Sequence, residues 1–315
     1  MGAIGLDVRL WSAALAISAA VWGSVLVVAE STKEVGGPPI ASTRVFASAP
    51  VFSPDGSRIA FTCKGSGGYG ACVIAAGGGD SDRLAEIKGY PDARPAFTPD
   101  GRLAFIGRHG DVDAVYVIDT RATGGSAAVL LVDLGADSTY PVFPAAGKHL
   151  AFVRQFEEGS FVYIIEADGT GRSRVGPPGA NEPALSPDGK TIAFIGEVTR
   201  GERGNYELAV MGIDGSGEKR LTDDGGNDNH HPAFAPDGRT IAFDRFQDGV
   251  GAGVFTVGID GSGERRVIPT GTEPAFSPDG RRIAFVRDGE IWVINVDGTG
   301  EKQLTSAAAQ ESEAR

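Results

Sequence analysis

Between Ala49 and Thr305 the chain alternates short apolar runs with turn-forming residues, and nowhere does the apolar spacing follow a helix. One segment recurs throughout. P-A-F-S-P-D-G-R-R-I-A-F-V begins at Pro274, and relatives of it begin at Pro50, Pro95, Pro141, Pro183 and Pro232. Successive starts differ by 42 to 49 residues, the period of a four-stranded propeller blade. Each unit predicts four strands. The P-A-F-S run is the first, closed by S-P-D-G, in which Pro presets φ, Asp bonds the turn amides and Gly accepts a positive φ. The I-A-F-V run is the second and alternates between two faces. The third is aromatic and β-branched, as in Ile291-Trp-Val-Ile294, and ends in D-G-T-G or D-G-S-G at Asp168, Asp214, Asp260 and Asp297. The fourth is short, as at Lys219 to Thr222 and Lys302 to Thr305. The expected fold is therefore all-β, a six-bladed β-propeller over residues 43–305 with a disordered tail at 306–315. Thr43 to Phe46 are expected to supply a strand to the last blade and close the ring; the alternative is that Lys302 to Thr305 fills that place alone.

The N-terminus has a different pattern. Leu10 to Ala29 is an uncharged run rich in Ala, Val and Leu, preceded by Arg9. It reads as a cleaved signal peptide over residues 1–29 or as a retained signal anchor, since its length suffices to cross a bilayer. Residues 30–42 then form a linker, and the bulk of the chain is expected outside the cytoplasm. The two cysteines suit that compartment: Cys63 and Cys72 flank a Gly-rich loop, and a hairpin there would place them on one side of a sheet, where an oxidising environment joins them.

Composition narrows the function more than the fold. A net charge of −12 excludes the basic footprint that nucleic acid requires and suits cationic partners. The 47 glycines and 18 prolines are spread along the chain, as many tight turns demand.

The block x-P-x-F-S-P-D-G-x-x-I-A-F, followed by I-W-V-I-N-V-D-G-T-G-E-K-Q-L-T at Ile291 to Thr305, resembles the repeat of TolB-type β-propellers over residues 45 to 305. The third unit departs from it at Pro144-Ala-Ala-Gly147, and the first two units lack D-G-T-G. The resemblance implies a propeller in the cell envelope that binds a protein partner, here without the α/β domain that precedes the propeller in TolB.

Candidate chemistry is sparse. No G-x-S-x-G elbow, H-E-x-x-H helix, P-loop or dinucleotide fingerprint is present, and no cofactor is expected. The D-G-T-G turns carry one Asp each, too few for a calcium loop. The best metal candidates are His230 and His231 with Asp228, in a loop that also holds Asp223 and Asp224. His149 opens a second strand and reads as structural. A non-catalytic binding scaffold for a protein or a surface glycan is the first reading. The alternative is a lyase or hydrolase with a metal or acidic site at the central channel. In a propeller the S-P-D-G and D-G-T-G turns share one face, nearly constant here. The other face varies from blade to blade at Lys64 to Gly70, Glu86 to Arg94, Glu197 to Tyr206 and Asp223 to His231. Variation on a fixed scaffold marks a recognition surface. At its centre are expected the residues just before each innermost-strand Pro: Ala49, Arg94, Tyr140, Glu182, His231 and Glu273.

Overall fold

The computed structural model describes residues 46–306, apart from turn segments at 66–67, 88–93, 121–127, 136, 145–148, 167, 201–202, 224 and 248. The expected signal or anchor at 1–29, the linker and all of the tail beyond Ser306 lie outside the described residues.

Six four-stranded antiparallel sheets follow one another along the chain. Blade 1 comprises β1 (Phe46–Phe52), β2 (Arg58–Gly65), β3 (Gly68–Ala75) and β4 (Ser81–Ile87); blade 2 comprises β5 (Ala96–Phe97), β6 (Leu103–His109), β7 (Val112–Ile118) and β8 (Val129–Gly135). Blade 3 holds β9 (Ser138–Val142), β10 (His149–Phe156), β11 (Gly159–Glu166) and β12 (Ser173–Val175); blade 4 holds β13 (Asn181–Leu185), β14 (Thr191–Arg200), β15 (Arg203–Gly212) and β16 (Lys219–Arg220). Blade 5 is β17 (Asp228–Phe234), β18 (Thr240–Gln247), β19 (Val250–Gly258) and β20 (Arg265–Ile268); blade 6 is β21 (Thr272–Phe276), β22 (Arg282–Arg287), β23 (Glu290–Asn295) and β24 (Lys302–Gln303).

The repeated I-A-F places one Phe per blade in the interior. Phe61, Phe105, Phe152, Phe194, Phe243 and Phe285 are all buried. Each such ring removed from water contributes about 1.5–3 kcal/mol. The apolar residues sort into six clusters, each shared by two neighbouring blades, so the core is a ring of inter-blade layers.

The S-P-D-G turns form as their residues dictate. Ser53 Oγ donates to Asp55 Oδ1 at 2.6 Å and accepts the Arg58 N–H, and the same arrangement recurs at Ser186 with Asp188 and at Ser277 with Asp279. The turn Gly has positive φ, 69° at Gly56, 69° at Gly189 and 69° at Gly280. A Cβ on Gly56 would make ordinary contact with Pro278 of the preceding blade at 3.5 Å, so it is the positive φ rather than space that selects Gly there. The D-G-T/S-G turns are likewise self-contained: Thr170, Ser216, Ser262 and Thr299 each donate N–H and Oγ–H to the turn Asp two residues earlier. These bonds hold Asp168, Asp214, Asp260 and Asp297 below the usual carboxylate range.

Of the expected closing strand at 43–46, residues 43–45 lie outside the described residues. Phe46 pairs with Lys64 inside blade 1, and the outer strand of blade 6 is Lys302–Gln303 alone. Among the described residues no strand is shared across the seam. The reason is register: the residues before Pro50 continue the innermost strand of their own blade. The seam is held instead by an apolar layer that joins Phe52, Phe61 and Ile74 to Val286, Ile291 and Leu304. Ala47 N–H donates to Gly289 O at 2.8 Å, Arg282 donates to Ala76 O at 3.2 Å, and Lys302 Nζ reaches Gly77 O. Cys63 and Cys72 form the expected disulfide, with Cα atoms 5.8 Å apart, and both are buried in this seam. They lie diagonally on the hairpin, Cys63 opposite Gly70 and Cys72 opposite Phe61.

Candidate functional site

The residues before the innermost prolines share one local geometry. Ala49, Tyr140, Glu182, His231 and Glu273 all have positive φ, between 47° and 54°. In each of these blades the pairing slips there: Ser48 opposes Thr62 and Val51 opposes Ala60, and equivalent slips follow Thr139, Asn181, His230 and Thr272. One extra residue on the inner strand makes a β-bulge. Proline suits the bulge because it has no N–H to lose from the ladder. The residue before it is left in the left-handed region, at a cost of about 1 kcal/mol or more, with its own N–H turned out of the sheet.

That N–H is captured across the ring. His231 N–H donates to Glu182 Oε2 at 2.6 Å, from blade 5 to blade 4. Ala49 N–H donates to Glu273 Oε2, from blade 1 to blade 6. Two of the expected partner-binding carboxylates thus tie the bulge of one blade to that of the next, and the second tie crosses the open seam. In blade 4 the Glu182 N–H is taken by the adjacent Asn181 side chain at 2.9 Å.

Around Glu182 the charges are dense. His230 Nδ1 lies 3.1 Å from Glu182 Oε1, and His231 Nδ1 donates to Asp244 Oδ1 at 2.8 Å. Asp244 is fully buried and Glu182 nearly so. Burial pushes the Glu182 carboxyl up, but the His231 imidazolium, the His230 hydrogen bond and Arg94 outweigh it and hold it well below the ordinary range. Burial lowers His231, yet Asp244 and Glu182 carry it up to about 9 against the repulsion of Arg94. His231 is therefore an imidazolium at neutral pH, bracketed by two carboxylates.

Arg94 occupies the remaining corner. Its guanidinium stacks 5.0 Å from the centre of the Tyr140 ring. Burial lowers its pKa, but Tyr140, Glu182, Glu273 and Asp244 raise it further. Its guanidinium donates to no described residue. The structure thus gathers Arg94, Tyr140, Glu182, His231 and Glu273 around one mouth, with Ala49 contributing backbone only.

Other candidates are dispersed. Asp228 accepts the Tyr206 N–H at 3.1 Å, while His230 and His231 turn to different carboxylates, so the three do not converge. Among the described residues no three His, Cys, Asp or Glu side chains form a metal shell. His230 and His231 belong to β17 rather than to a loop, and residues 197–206 continue as a hairpin to the Arg200–Arg203 pair, apart from the undescribed tip. Both corrections have one cause: polar residues in these extensions pair along the backbone as readily as apolar ones when a facing strand is present. His149 bonds Glu166 at 3.0 Å and His109 bonds Asp133 at 2.9 Å, both on strand ends.

Asp244 went unnoticed in the sequence. It follows I-A-F, where the other repeats carry Thr62, Ile106, Val153, Ile195 and Val286. A carboxylate in a slot that is otherwise apolar or hydroxylic was the available signal. Behind it lies a buried polar network between blades 4 and 5. Glu207 accepts from Asn205, Thr222 and Asn229 at 2.6–3.1 Å, and Arg245 joins Asn229 at 2.9 Å to Glu264 at 2.8 Å. Such a network is satisfied throughout and locks those two blades in register.

Comparison with known proteins agrees with the architecture. The TolB beta propeller domain matches residues 49–273, well over half of the chain, and the chain belongs to that family. TolB from Acinetobacter baumannii superposes with a TM-score of 0.62 at 21% identity, covering 86% of this chain and 66% of that one. The chain thus spans slightly less than two thirds of the Acinetobacter protein. A putative TolB from Agrobacterium tumefaciens gives 0.58 at 20% identity, over 84% of this chain and 90% of that one. An oligogalacturonate lyase in complex with manganese gives 0.55 at 14% identity, over 84% and 78%. At these identities the likeness shows the fold. No curated protein sequence matches the chain.

Proposed function

We propose that the chain is a non-catalytic binding scaffold, exported to the cell envelope, which receives a protein partner at the channel mouth on its variable face. Arg94 carries this reading. A guanidinium held on an aromatic face beside a channel, with its donors directed to no described acceptor, is the chemistry of an interface anchor. The mouth carboxylates, by contrast, are engaged within the protein: Glu182 by His230 and the His231 N–H, Glu273 by the Ala49 N–H, Asp244 by His231. Export is supported by the apolar run at residues 10–29 and by the disulfide, a bond of oxidising compartments. Membership of the TolB beta propeller family favours a protein partner over a glycan.

The test is capture from the organism's own envelope extract. The wild type is expected to enrich a partner that Arg94→Ala loses at unchanged melting temperature. If the same partner stays with Arg94→Ala and is lost by Asp188→Lys, the binding surface lies on the S-P-D-G face and this reading fails.

A second reading rests on His231. A buried His–Asp pair at 2.8 Å, with the imidazole charged at neutral pH, is also a candidate acid for a channel-site lyase or hydrolase. Formation of an unsaturated product from an oligogalacturonate, abolished by His231→Gln, would establish it in place of the scaffold.

A further inference from the structure

Several half-buried aromatic rings of this molecule carry a cation of its own. Arg94 lies over Tyr140, Arg154 over Phe156, Arg287 over Trp292 and Lys64 over Tyr69. The last pair is internal to one hairpin: Lys64 and Tyr69 face each other directly across β2 and β3, with Nζ 5.3 Å from the ring centre. Blade 4 repeats this pair in the same register with the charge reversed. Three residues past the Phe of I-A-F stands Glu197 in place of Lys64, and directly opposite it stands Tyr206 in place of Tyr69. Tyr206 is 39% exposed, and among the described residues no Lys or Arg lies over its ring.

Two further rings from blade 5 close on Tyr206. His230 of β17 lies 5.5 Å from it, and Phe246 of β18 stands edge-on to His230 at 5.7 Å. The propeller requires neither. Phe246 fills the slot that holds Lys64, Arg108, Gln155, Glu197 and Asp288 in the other blades, and His230 the slot of Ser48, Ala93, Thr139, Asn181 and Thr272. Carboxylates accompany the rings. Glu197 is opposite Tyr206, Asp228 is opposite Phe246 and accepts the Tyr206 N–H at 3.1 Å, and Glu182 bonds His230 Nδ1. Burial, and then the charges of Glu197, Asp228 and Glu182, push the Tyr206 hydroxyl up. Glu182 also serves His231 and Arg94, which leaves Glu197 and Asp228 paired with no Lys or Arg of the described residues. Arg245, next to Phe246 in the chain, is directed instead to Asn229, Glu264 and the Phe255 ring.

We infer that the aromatic cleft of Tyr206, His230 and Phe246, between blades 4 and 5, receives a lysine or arginine side chain of the protein partner. It rests on the reading of the variable face as the binding side and adds a second contact beside the mouth. Ring faces flanked by carboxylates select a cation, because the ring quadrupole and the carboxylate attract the same charge. The comparison with blade 1 chooses this occupant. A tyrosine in this register is covered by Lys64 where the chain supplies the cation, and by no cation of the described residues where Glu197 takes its place. An apolar side chain would strip water from Glu197 and Asp228 with no charge in return. A neutral sugar stacks on rings without any use for the reversed charge. The net charge of −12 also draws cationic segments toward the disc.

Nuclear magnetic resonance of the full chain with labelled Phe and Tyr, titrated with acetyl-Gly-Arg-Gly-amide, is the direct test. The ring resonances of Tyr206 and Phe246 are expected to shift and saturate, and acetyl-Gly-Gln-Gly-amide should leave them in place. Phe246→Leu and Glu197→Gln should each weaken binding about three-fold or more. Glu197 is exposed, so its variants should keep the melting temperature of the wild type. Glu197→Lys restores the arrangement of blade 1 and should abolish binding by covering the Tyr206 ring itself. No saturable shift with the Arg peptide overturns the proposal, as does equal binding of the Gln peptide. Wild-type affinity in both Phe246→Leu and Glu197→Lys places the cation elsewhere and overturns it too. A neutral hexose that moves the same resonances where the Arg peptide does not would assign the cleft to a glycan instead. The two readings fail separately. Envelope capture that depends on Arg94 without any peptide shift removes the cleft alone, and peptide shifts with capture indifferent to Arg94→Ala remove the Arg94 anchor alone.

Discussion

The two faces of the disc handle their carboxylates in opposite ways. On the S-P-D-G face, Asp188 accepts from Ser186 Oγ and from Lys190 N–H, each two residues away. Six residues earlier, on the opposite face, Glu182 accepts from His231 N–H, 49 residues away in the next blade. Glu273 accepts from Ala49, 224 residues away. One face builds its turns from local bonds that any single unit makes alone. The other face, where backbone bulges turn N–H groups out of the sheet, satisfies them only once the ring has assembled. Polar residues at a propeller mouth are therefore not automatically available to a ligand; several of them hold the blades together.

The comparison is sharpest in a matched pair within blade 4. Glu182→Ala removes the acceptor of the His231 N–H and leaves the His231 imidazolium with one carboxylate fewer. It is expected to lower unfolding stability by about 2–4 kcal/mol, the range for an unsatisfied buried donor beside an uncompensated charge. Asp188→Ala removes only local turn bonds, one to the buried Ser186 hydroxyl and one at the surface, and is expected to lose about 1 kcal/mol. Chemical denaturation of the two variants measures both, and equal losses would break the distinction between the faces.

A second expectation concerns pH. The folded His231 pKa, about 9, lies above its unfolded value near 6.5. The stabilisation from its carboxylates is therefore fully present below about pH 6.5 and is lost as pH rises through 9. Between pH 6.5 and 9.5 the wild type should lose on the order of 1–3 kcal/mol relative to His231→Gln, whose profile should be flatter in this window. Glu182, depressed on folding, acts at the other end: its contribution is present above its unfolded pKa and lost in strong acid. A wild-type curve parallel to that of His231→Gln would remove the imidazolium from the mouth.

The smallest expected effect isolates the backbone. Ala49 holds a φ of 52° while its side chain does little beyond local packing. Ala49→Gly relieves that conformation but adds freedom to the unfolded chain, so the net change is expected to be within about 1 kcal/mol and favourable. Ala49→Val at the same position should destabilise, because a β-branched residue resists positive φ. The reverse exchange on the S-P-D-G face, Gly56→Ala, should destabilise, since the φ there is 69°.

Much of the molecule was legible because its determinants are local and repeated. The S-P-D-G turns, the D-G-T-G turns, the alternation of I-A-F and the Cys63–Cys72 pair all depend on residues within about ten positions of one another. The repeat then multiplies a weak local signal into a six-bladed ring. The residues preceding each Pro were also identifiable as a set, since position in the repeat marks them. Their chemistry was not. Nothing local in Glu182-Pro183 distinguishes a carboxylate that faces a ligand from one that ties two blades together, and Asp244 lies in a slot that is otherwise apolar or hydroxylic.

The sequence by itself determined the blade, the number of blades, the turn chemistry and the apolar layer each blade presents to the next. Only the tertiary structure decided which carboxylates the His231 and Ala49 amides claim, and that the Arg94 guanidinium lies over the Tyr140 ring. The physical reason is separation along the chain. Turn hydrogen bonds and strand alternation form between neighbours and leave a periodic imprint. The mouth is made by bulges from five blades together with Arg94 from the sixth, and the charges they bring together are neighbours only in the closed ring.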